Sequence, residues 1–444
     1  MKNKFAFMIM LLVMSASILS AQTSVGVLKL SLAEAQKYAL DNNLSVSLAK
    51  QDIEIARRKT WEAISQMLPQ ISGSASLNDN LKLMTTLLPG EIVGQPGELI
   101  PVQFGSQFNS SFGADASMVL FNGQAIVGFQ MAKLAQKLAT VGVEQSEQDV
   151  KESVINTYYL ILISEESMRI IDGNIEALNE TLRSTRAMLS VGMAEATDVD
   201  QMVSNVSMMQ NTRSSMERTI ELSHNMLRFQ LGLSPETKIE LTETLDNIIA
   251  STDVAQLVNT EFNLNNNISY KLIEGHEEMS QLSLKLAKSS ILPSVATFYA
   301  YNKNGQGDKL GDLRWFPNSM LGFQLSVPIF SSGMRYSKIK AAEATYVKAS
   351  IEKEIVKDGL LLQERQLRYN VVNAHNQYLL QKENIEVSKR IYKSIENKFG
   401  QGMASSLEVT QANTNYLQAE NNYITALMTL LQSKASLDKL IGNF

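Results

Sequence analysis

The stretch GQAIVGFQMAKLAQKLATVGVEQSEQDVKESVINTYYLILISEESMRIIDGNIEALNETLRSTRAMLSV, residues 123–191, holds no proline and places its apolar residues at helical spacing. Helices in folded proteins average about 11–12 residues. One of this length reaches roughly 100 Å at ~1.5 Å per residue, and no compact core surrounds such a rod. Within it Val154, Ile161, Met168, Ile175, Leu182 and Leu189 recur at every seventh position. That period keeps one seam against a partner helix in a left-handed supercoil. An isolated coiled coil shares this signature, so the rest of the chain decides.

The rod occurs twice. At an offset of 210, Val371, Tyr378, Ile385, Tyr392 and Phe399 continue the seventh-residue row. The same offset sets Gly123 on Gly333, Gly192 on Gly402, Val199 on Val409, Gln201 on Gln411 and Gly232 on Gly442. Upstream, an offset of 224 aligns Asn42-Asn43-Leu44-Ser45 with Asn266-Asn267-Ile268-Ser269, and Leu68-Pro69 with Leu292-Pro293. A constant offset sustained without gaps marks an internal repeat. The two offsets differ by 14, which places a 14-residue insertion between Pro69 and Gly123.

Lys2 and Lys4 precede the apolar run Phe5 to Leu19, followed by Ser20, Ala21 and Gln22. This is the pattern of a secretory signal peptide over residues 1–21, with an apolar run too short to span a bilayer. The chain carries a formal charge of −5 and no cysteine. It therefore forms no disulfide after export and carries no lipid on a cysteine, and no basic stripe suggests nucleic acid. No second apolar run is long enough for a transmembrane helix, so membrane residence would rest on strands.

Ser31 to Lys59 is predicted helical, interrupted around Asp41-Asn42-Asn43, with a capping box at Ser31 and Glu34; helix continues to about Met67. Beyond Pro69 the period changes to two. Ile71, Gly73, Ala75 and Leu77 share a face, and positions 108 to 120 alternate Phe, Ser, Phe, Ala, Ala, Met, Leu against a mostly polar face. Residues 81–105, with Pro89, Pro96 and Pro101, are expected to form a loop packed on itself; the alternatives are capping a pore mouth or touching lipopolysaccharide. In the second copy Val295, Thr297, Tyr299 and Tyr301 share one face, as do Leu321, Phe323, Leu325 and Val327, with Trp315 and Phe316 expected in the loop between.

The resulting layout has repeat 1 over residues 22–233, with strands at about 70–78 and 107–121, a long helix at about 123–190 and a returning helix at about 198–231. Residues 234–265 join the copies with Pro235 and short helical pieces. Repeat 2 spans 266–444, with strands at about 294–303 and 318–328 and helices at about 333–400 and 407–441. Each long helix ends at a glycine turn, Gly192 or Gly402, and the returning helix is expected to be capped by Thr197 with Asp200, or by Ser405 with Glu408. Val409, Tyr416, Tyr423, Leu430 and Leu437 carry the seam onward. Four strands cannot close a barrel, for which about eight is the minimum, and an open edge is not viable in lipid. The fold class is therefore a mixed membrane protein: a trimeric 12-stranded β-barrel, four strands per chain, continued by a long α-helical barrel.

This layout resembles the TolC-type outer-membrane factors, the exit ducts of efflux pumps and type I secretion systems. The resemblance is carried by the doubled order of Met67-Leu68-Pro69 and Ile291-Leu292-Pro293, by Val327-Pro328-Ile329-Phe330-Ser331-Ser332-Gly333, and by Val191-Gly192-Met193 with Thr197-Asp198-Val199. It implies a passive duct in the outer membrane of a Gram-negative bacterium with a long periplasmic part. Its partners would be a periplasmic adaptor (membrane fusion) protein and an inner-membrane pump of RND or ABC type. The turns of Val191, Gly192, Met193 and Ala194, and of Gly402, Met403 and Ser405, would dock the adaptor.

The resemblance also implies a periplasmic constriction at the start of the last helix, built around Thr197, Asp198, Phe399, Ala404, Glu408 and Gln411. Such ducts place two carboxylates three positions apart there. Here they correspond to Glu408 and Gln411, leaving one ring of three acids. A latch tyrosine corresponds to Phe399 and a latch arginine to Ala404, while the acceptor Asp198 is retained. Glu408 capping its own helix is the plainer alternative for that residue. If it does form a ring, three like charges would raise one another's pKa. A structural trimeric coiled coil or adhesin is the competing class, but it leaves the strand pairs and the doubled layout unexplained. Catalysis is not expected. His224, His276 and His375 stand alone in helical pattern, there is no thiol, and neither a metal nor another cofactor is implied.

Overall fold

A computed structural model describes residues 27–89, 97, 99–250 and 253–443. The expected signal peptide, the centre of the 81–105 segment and Phe444 lie outside them. The elements run β1 (Leu28–Leu30), α1 (Leu32–Asn42), α2 (Leu44–Ser65), β2 (Gln70–Asp79), β3 (Met84–Pro89), β4 (Leu99–Phe104) and β5 (Phe108–Asn122). They continue with α3 (Gly123–Ser190), α4 (Ala196–Gln230), β6 (Ile239–Leu241), α5 (Leu245–Ala250), α6 (Val254–Asn259) and α7 (Ile268–Ser289). β7 (Ser294–Gly307), β8 (Arg314–Ser326), α8 (Met334–Gly400) and α9 (Ser406–Ile441) complete the chain.

The chain divides into two compact units. One gathers the residues up to Leu48, Gln145–Asn267 and Leu360–Phe444; the other gathers Ala49–Glu144 and Ile268–Gly359. In the first, the seam residues Val154, Ile161, Val371, Tyr378, Val409, Leu430 and Leu437 are buried as their spacing requires, while Leu189 at the rod's end is exposed. Tyr158, fully buried, donates its hydroxyl to the Leu30 carbonyl at 3.1 Å and accepts from the Glu243 amide at 3.4 Å. This bond anchors the parallel pair β1–β6 to α3. That pair escapes sequence reading, because three residues display no period. The break expected at Asn43 is present: its side chain donates to the Gln230 carbonyl at 2.7 Å and accepts from the Ser45 amide. The Ser31–Glu34 capping box also forms, an arrangement whose N-cap contributes about 1 kcal/mol.

In the second unit one antiparallel sheet runs in the order β2-β5-β7-β8. The rows read from the separate strands meet in register. Ile71 pairs with Ala116, Ala116 with Tyr299, and Tyr299 with Leu321, so one face is apolar across all four strands. A bulge between Val119 and Phe121 ends the alternation at Leu120 and sets Phe121 opposite Val295. β2 and β8 each pair on one side only, so the sheet ends in two open edges.

Three expectations are corrected. Within 81–105, Met84–Pro89 and Leu99–Phe104 are paired antiparallel strands rather than loop, with Leu88 opposite Ile100 and prolines 89 and 101 inside them. A two-stranded ribbon leaves each strand an unpaired side, where a missing N–H costs nothing. Trp315 and Phe316 belong to β8, and the Trp315 ring meets Phe112 with centroids 5.1 Å apart; the connection is reduced to a short turn at Leu310–Asp312. The first returning helix is capped by Glu195 and Asp198 rather than by Thr197 and Asp200. The 210 offset accounts for this, because it sets Glu195 on Ser405 and Asp198 on Glu408.

Candidate functional site

The two helix turns of the first unit lie side by side. Gly192 and Gly402 adopt φ of 75° and 72°, the left-handed conformation that a helix-ending turn requires. Added side-chain atoms at Gly192 would enter open space, and at Gly402 the nearest is Met193 Cε at 3.8 Å. Val191, Gly192, Met193, Gly402, Met403 and Ser405 are exposed and Ala194 is half-exposed, so the expected docking residues form one accessible end.

Just past the turns, α4 and α9 are fastened together. Ser406 donates its hydroxyl to Asp198 Oδ1, and Asn205 donates to Thr410 Oγ1 at 3.2 Å. The second oxygen of Asp198 accepts from the Glu195 amide at 2.9 Å. These two bonds, the Ser406 hydroxyl foremost, hold the Asp198 carboxyl below the usual aspartate range. Thr197 donates to Glu195 at 3.3 Å.

On the second copy, Glu408 Oε2 accepts from the Ser405 amide at 2.7 Å and from its hydroxyl at 3.0 Å. Both bonds, the amide first, lower the Glu408 pKa. Within one chain the shift is therefore opposite to the rise expected from a ring of acids. Capping uses only one oxygen of an exposed carboxylate, so it leaves the group free to act as a charge at the helix start. Gln411 donates to Asn415 at 3.0 Å.

Phe399 and Ala404 are not part of this polar surface. Phe399 is buried with Tyr392, Val409 and Ala412, and Ala404 packs against the same cluster. Phe399 and Ala404 stand where the resemblance places latch donors and have none to offer; Asp198 accepts from Ser406 instead. Among the described residues no group of His, Asp or Glu is arranged to hold a metal, and no helix is long and apolar enough to cross a membrane.

Comparison with known proteins places these features together. A family described as outer membrane efflux protein matches residues 36–233 and 276–443. Outer membrane protein TolC of Vibrio cholerae is 21% identical over 421 residues, covering 93% of this chain and 90% of that protein. The proteases secretion protein PrtF of Dickeya chrysanthemi is 18% identical over 228 residues, 50% of this chain and 49% of its own. Among solved structures, the outer membrane protein VceC of Vibrio cholerae superposes with a TM-score of 0.73 at 15% identity, covering 93% of this chain and 96% of that one. The Campylobacter jejuni CmeC outer membrane channel gives 0.71 at 17% identity over 93% and 85%.

One residue about four turns further along α9 was not legible in the sequence. Glu420 of α9 is 6% exposed and accepts from the Tyr416 hydroxyl, and its Oε1 meets no protein donor. Burial, opposed by the Tyr416 bond and by Lys389 and reinforced by Glu166, raises its pKa from 4.5 to about 7. An unfolded chain sheds this proton near 4.5 while the folded chain retains it, so this group's contribution to stability falls as pH rises from 4.5 to about 7 and is level above that. Glu420→Gln is expected to remove that slope and to stabilise the protein above pH 7, by on the order of 1 kcal/mol per chain. Thermal unfolding in detergent at a series of pH values checks both.

Proposed function

The chain belongs to the outer membrane efflux protein family, and from that premise we propose that three copies join into one exit duct. The family's members are channels rather than enzymes, and the protein resides in the outer membrane of a Gram-negative bacterium. It conducts substrates outward in efflux or type I secretion. The observation that carries the trimer is the pair of open sheet edges at β2 and β8. Lipid offers no hydrogen bonds to such edges, so the sheet must close on other copies. Two copies would make about eight strands, whose interior side chains fill, whereas twelve leave a lumen.

In this reading the exposed turns at Gly192 and Gly402 receive the hairpins of a periplasmic adaptor, which couples the duct to an inner-membrane pump of RND or ABC type. Glu408, with Asp198 at the equivalent position of the first copy, lines the constriction as symmetry-repeated carboxylates. Thr197 and Gln411 flank them, and Phe399 and Ala404 support them from the apolar cluster behind. Bonds from Ser406 and the Glu195 amide at Asp198, and from Ser405 at Glu408, stabilise both acids in the ionised form, so the constriction attracts cations, divalent ions among them.

Two measurements test these assignments. Gly192→Arg or Gly402→Arg strains a left-handed residue by about 1–2 kcal/mol, too little to unfold the chain, but fills the docking surface. Export in cells should be lost while membrane insertion persists; normal export by both variants removes the turns from the adaptor contact. In single-channel recording, Glu408→Gln should weaken cation preference and divalent block. Unchanged selectivity and block would take Glu408 out of the constriction.

A further inference from the structure

α8 divides into four faces along its length in the helical unit. Successive residues advance about 100° around an α-helix. On that count Asn370, Asn373, Gln377 and Gln381 share one quarter, and Lys382, Glu383, Glu386, Arg390 and Lys393 share the opposite quarter. The two quarters between are chiefly apolar, with Lys389 and Glu396 as charged exceptions on the side that packs against the chain. Val371, Tyr378 and Tyr392 are buried against the rest of the chain, while Leu362, Tyr369, Leu380 and Ile391 are exposed. A helix with apolar flanks on both sides and two opposed polar faces is a stave in a wall, with water on either side of it.

The two wet faces differ in chemistry. α9 continues the uncharged one: from Gln411 to Gln432 its single charged residue is Glu420, which is buried. Its exposed row is Gln411, Asn415, Gln418, Asn422, Thr425 and Thr429. Ordinary solvated helix faces carry roughly a quarter to a third charged residues. α8 and α9 enclose between them a groove of ≈ 510 Å³ lined wholly by neutral residues, chiefly the amides of α8 and Asn422, Thr425, Thr429 and Ser433 of α9. The first copy repeats the pattern at the 210 offset with Gln201, Asn205, Met208, Thr212, Ser215 and Thr219, again without a charge. The charges of α4 stand outside the row itself: Arg213 reaches across to Asp172 at 2.7 Å, while Arg218 borders it and donates to Ser215 at 3.0 Å.

We infer that this uncharged amide and hydroxyl surface is the inner wall of the duct, and that the wall passes hydrated solutes of either charge sign without selecting among them. The inference rests on the duct proposed above, since the row starts at Glu408 on α9 and at Asp198 on α4, the acids assigned to the constriction. Selection by charge is then confined to that entrance.

The amides are already paired along the helix. Gln411 donates to Asn415 and Gln418 to Asn422, both at 3.0 Å, and Gln366 donates to Asn370 and Gln201 to Asn205. Each pair satisfies one donor and one acceptor internally and turns the others to water. Such a surface hydrates anions and cations alike, and its lack of fixed charge gives neither sign a place to accumulate.

The chain has no cysteine, so single thiols can be introduced into the native protein. Asn422→Cys and Thr429→Cys stand on the proposed inner wall, Lys393→Cys and Glu386→Cys on the opposite face. Each variant is reconstituted in planar bilayers, treated with a cationic and separately with an anionic methanethiosulfonate, and labelling is verified by mass. Labelling the Asn422→Cys or Thr429→Cys variant should lower single-channel conductance and shift the reversal potential in opposite directions for the two reagents. Labelling the Lys393→Cys or Glu386→Cys variant should leave both unchanged. Labelled inner-wall variants without effect, or an effect confined to the charged face, overturn the inference while the duct stands. A wild-type protein that does not conduct overturns the duct and the inference together.

Discussion

The backbone of a strand in lipid must find every hydrogen bond within protein, and this chain supplies only part of what its strands demand. β5 and β7 are paired on both sides, β2 and β8 on one. An unmet row of N–H and C=O groups is tolerable in water and prohibitive in hydrocarbon. The apolar seams left exposed on α8 pose the same demand in the helical unit, where the penalty is exposed hydrocarbon rather than unpaired backbone. Further copies would meet both deficits at once, offering backbone partners to β2 and β8 and apolar surface to α8.

Duplication explains why so simple a plan suffices. Each copy delivers a strand pair, a long helix and a returning helix, and the pairing of β5 with β7 stitches the copies into one sheet. The turns at Gly192 and Gly402, the caps at Glu195 and Ser405, and the acids at Asp198 and Glu408 are the same device twice. They differ where function has room to diverge. Asp198 is bound to Ser406 of the other copy, whereas Glu408 remains exposed beyond its own cap. A three-chain assembly would thus present six turn ends of two alternating kinds.

Much of this was legible in the sequence because it is periodic. Seven-residue rows identified α3, α8 and α9, and two-residue rows identified β2, β5, β7 and β8, since long regular elements repeat their burial pattern often enough to be read. What escaped was short or contextual. β1 and β6 have three residues each, and β3 and β4 were masked by their prolines. The Leu120 bulge depends on the partner strand, and the unusual state of Glu420 depends on helices that pack over it. The cap at Glu195 was readable through the repeat but not locally, because Thr197 with Asp200 offered a competing pattern nearby. The loss of latch donors at Phe399 and Ala404 was legible in the sequence; the apolar cluster that takes up both residues, and the bond from Ser406 to Asp198, were not.

The central claim is that open strand edges and exposed seams make one chain incomplete. Native mass spectrometry of the detergent-purified protein measures this directly. The account predicts a dominant species of three chains that persists on dilution. A stable monomer or dimer as the principal species would contradict it.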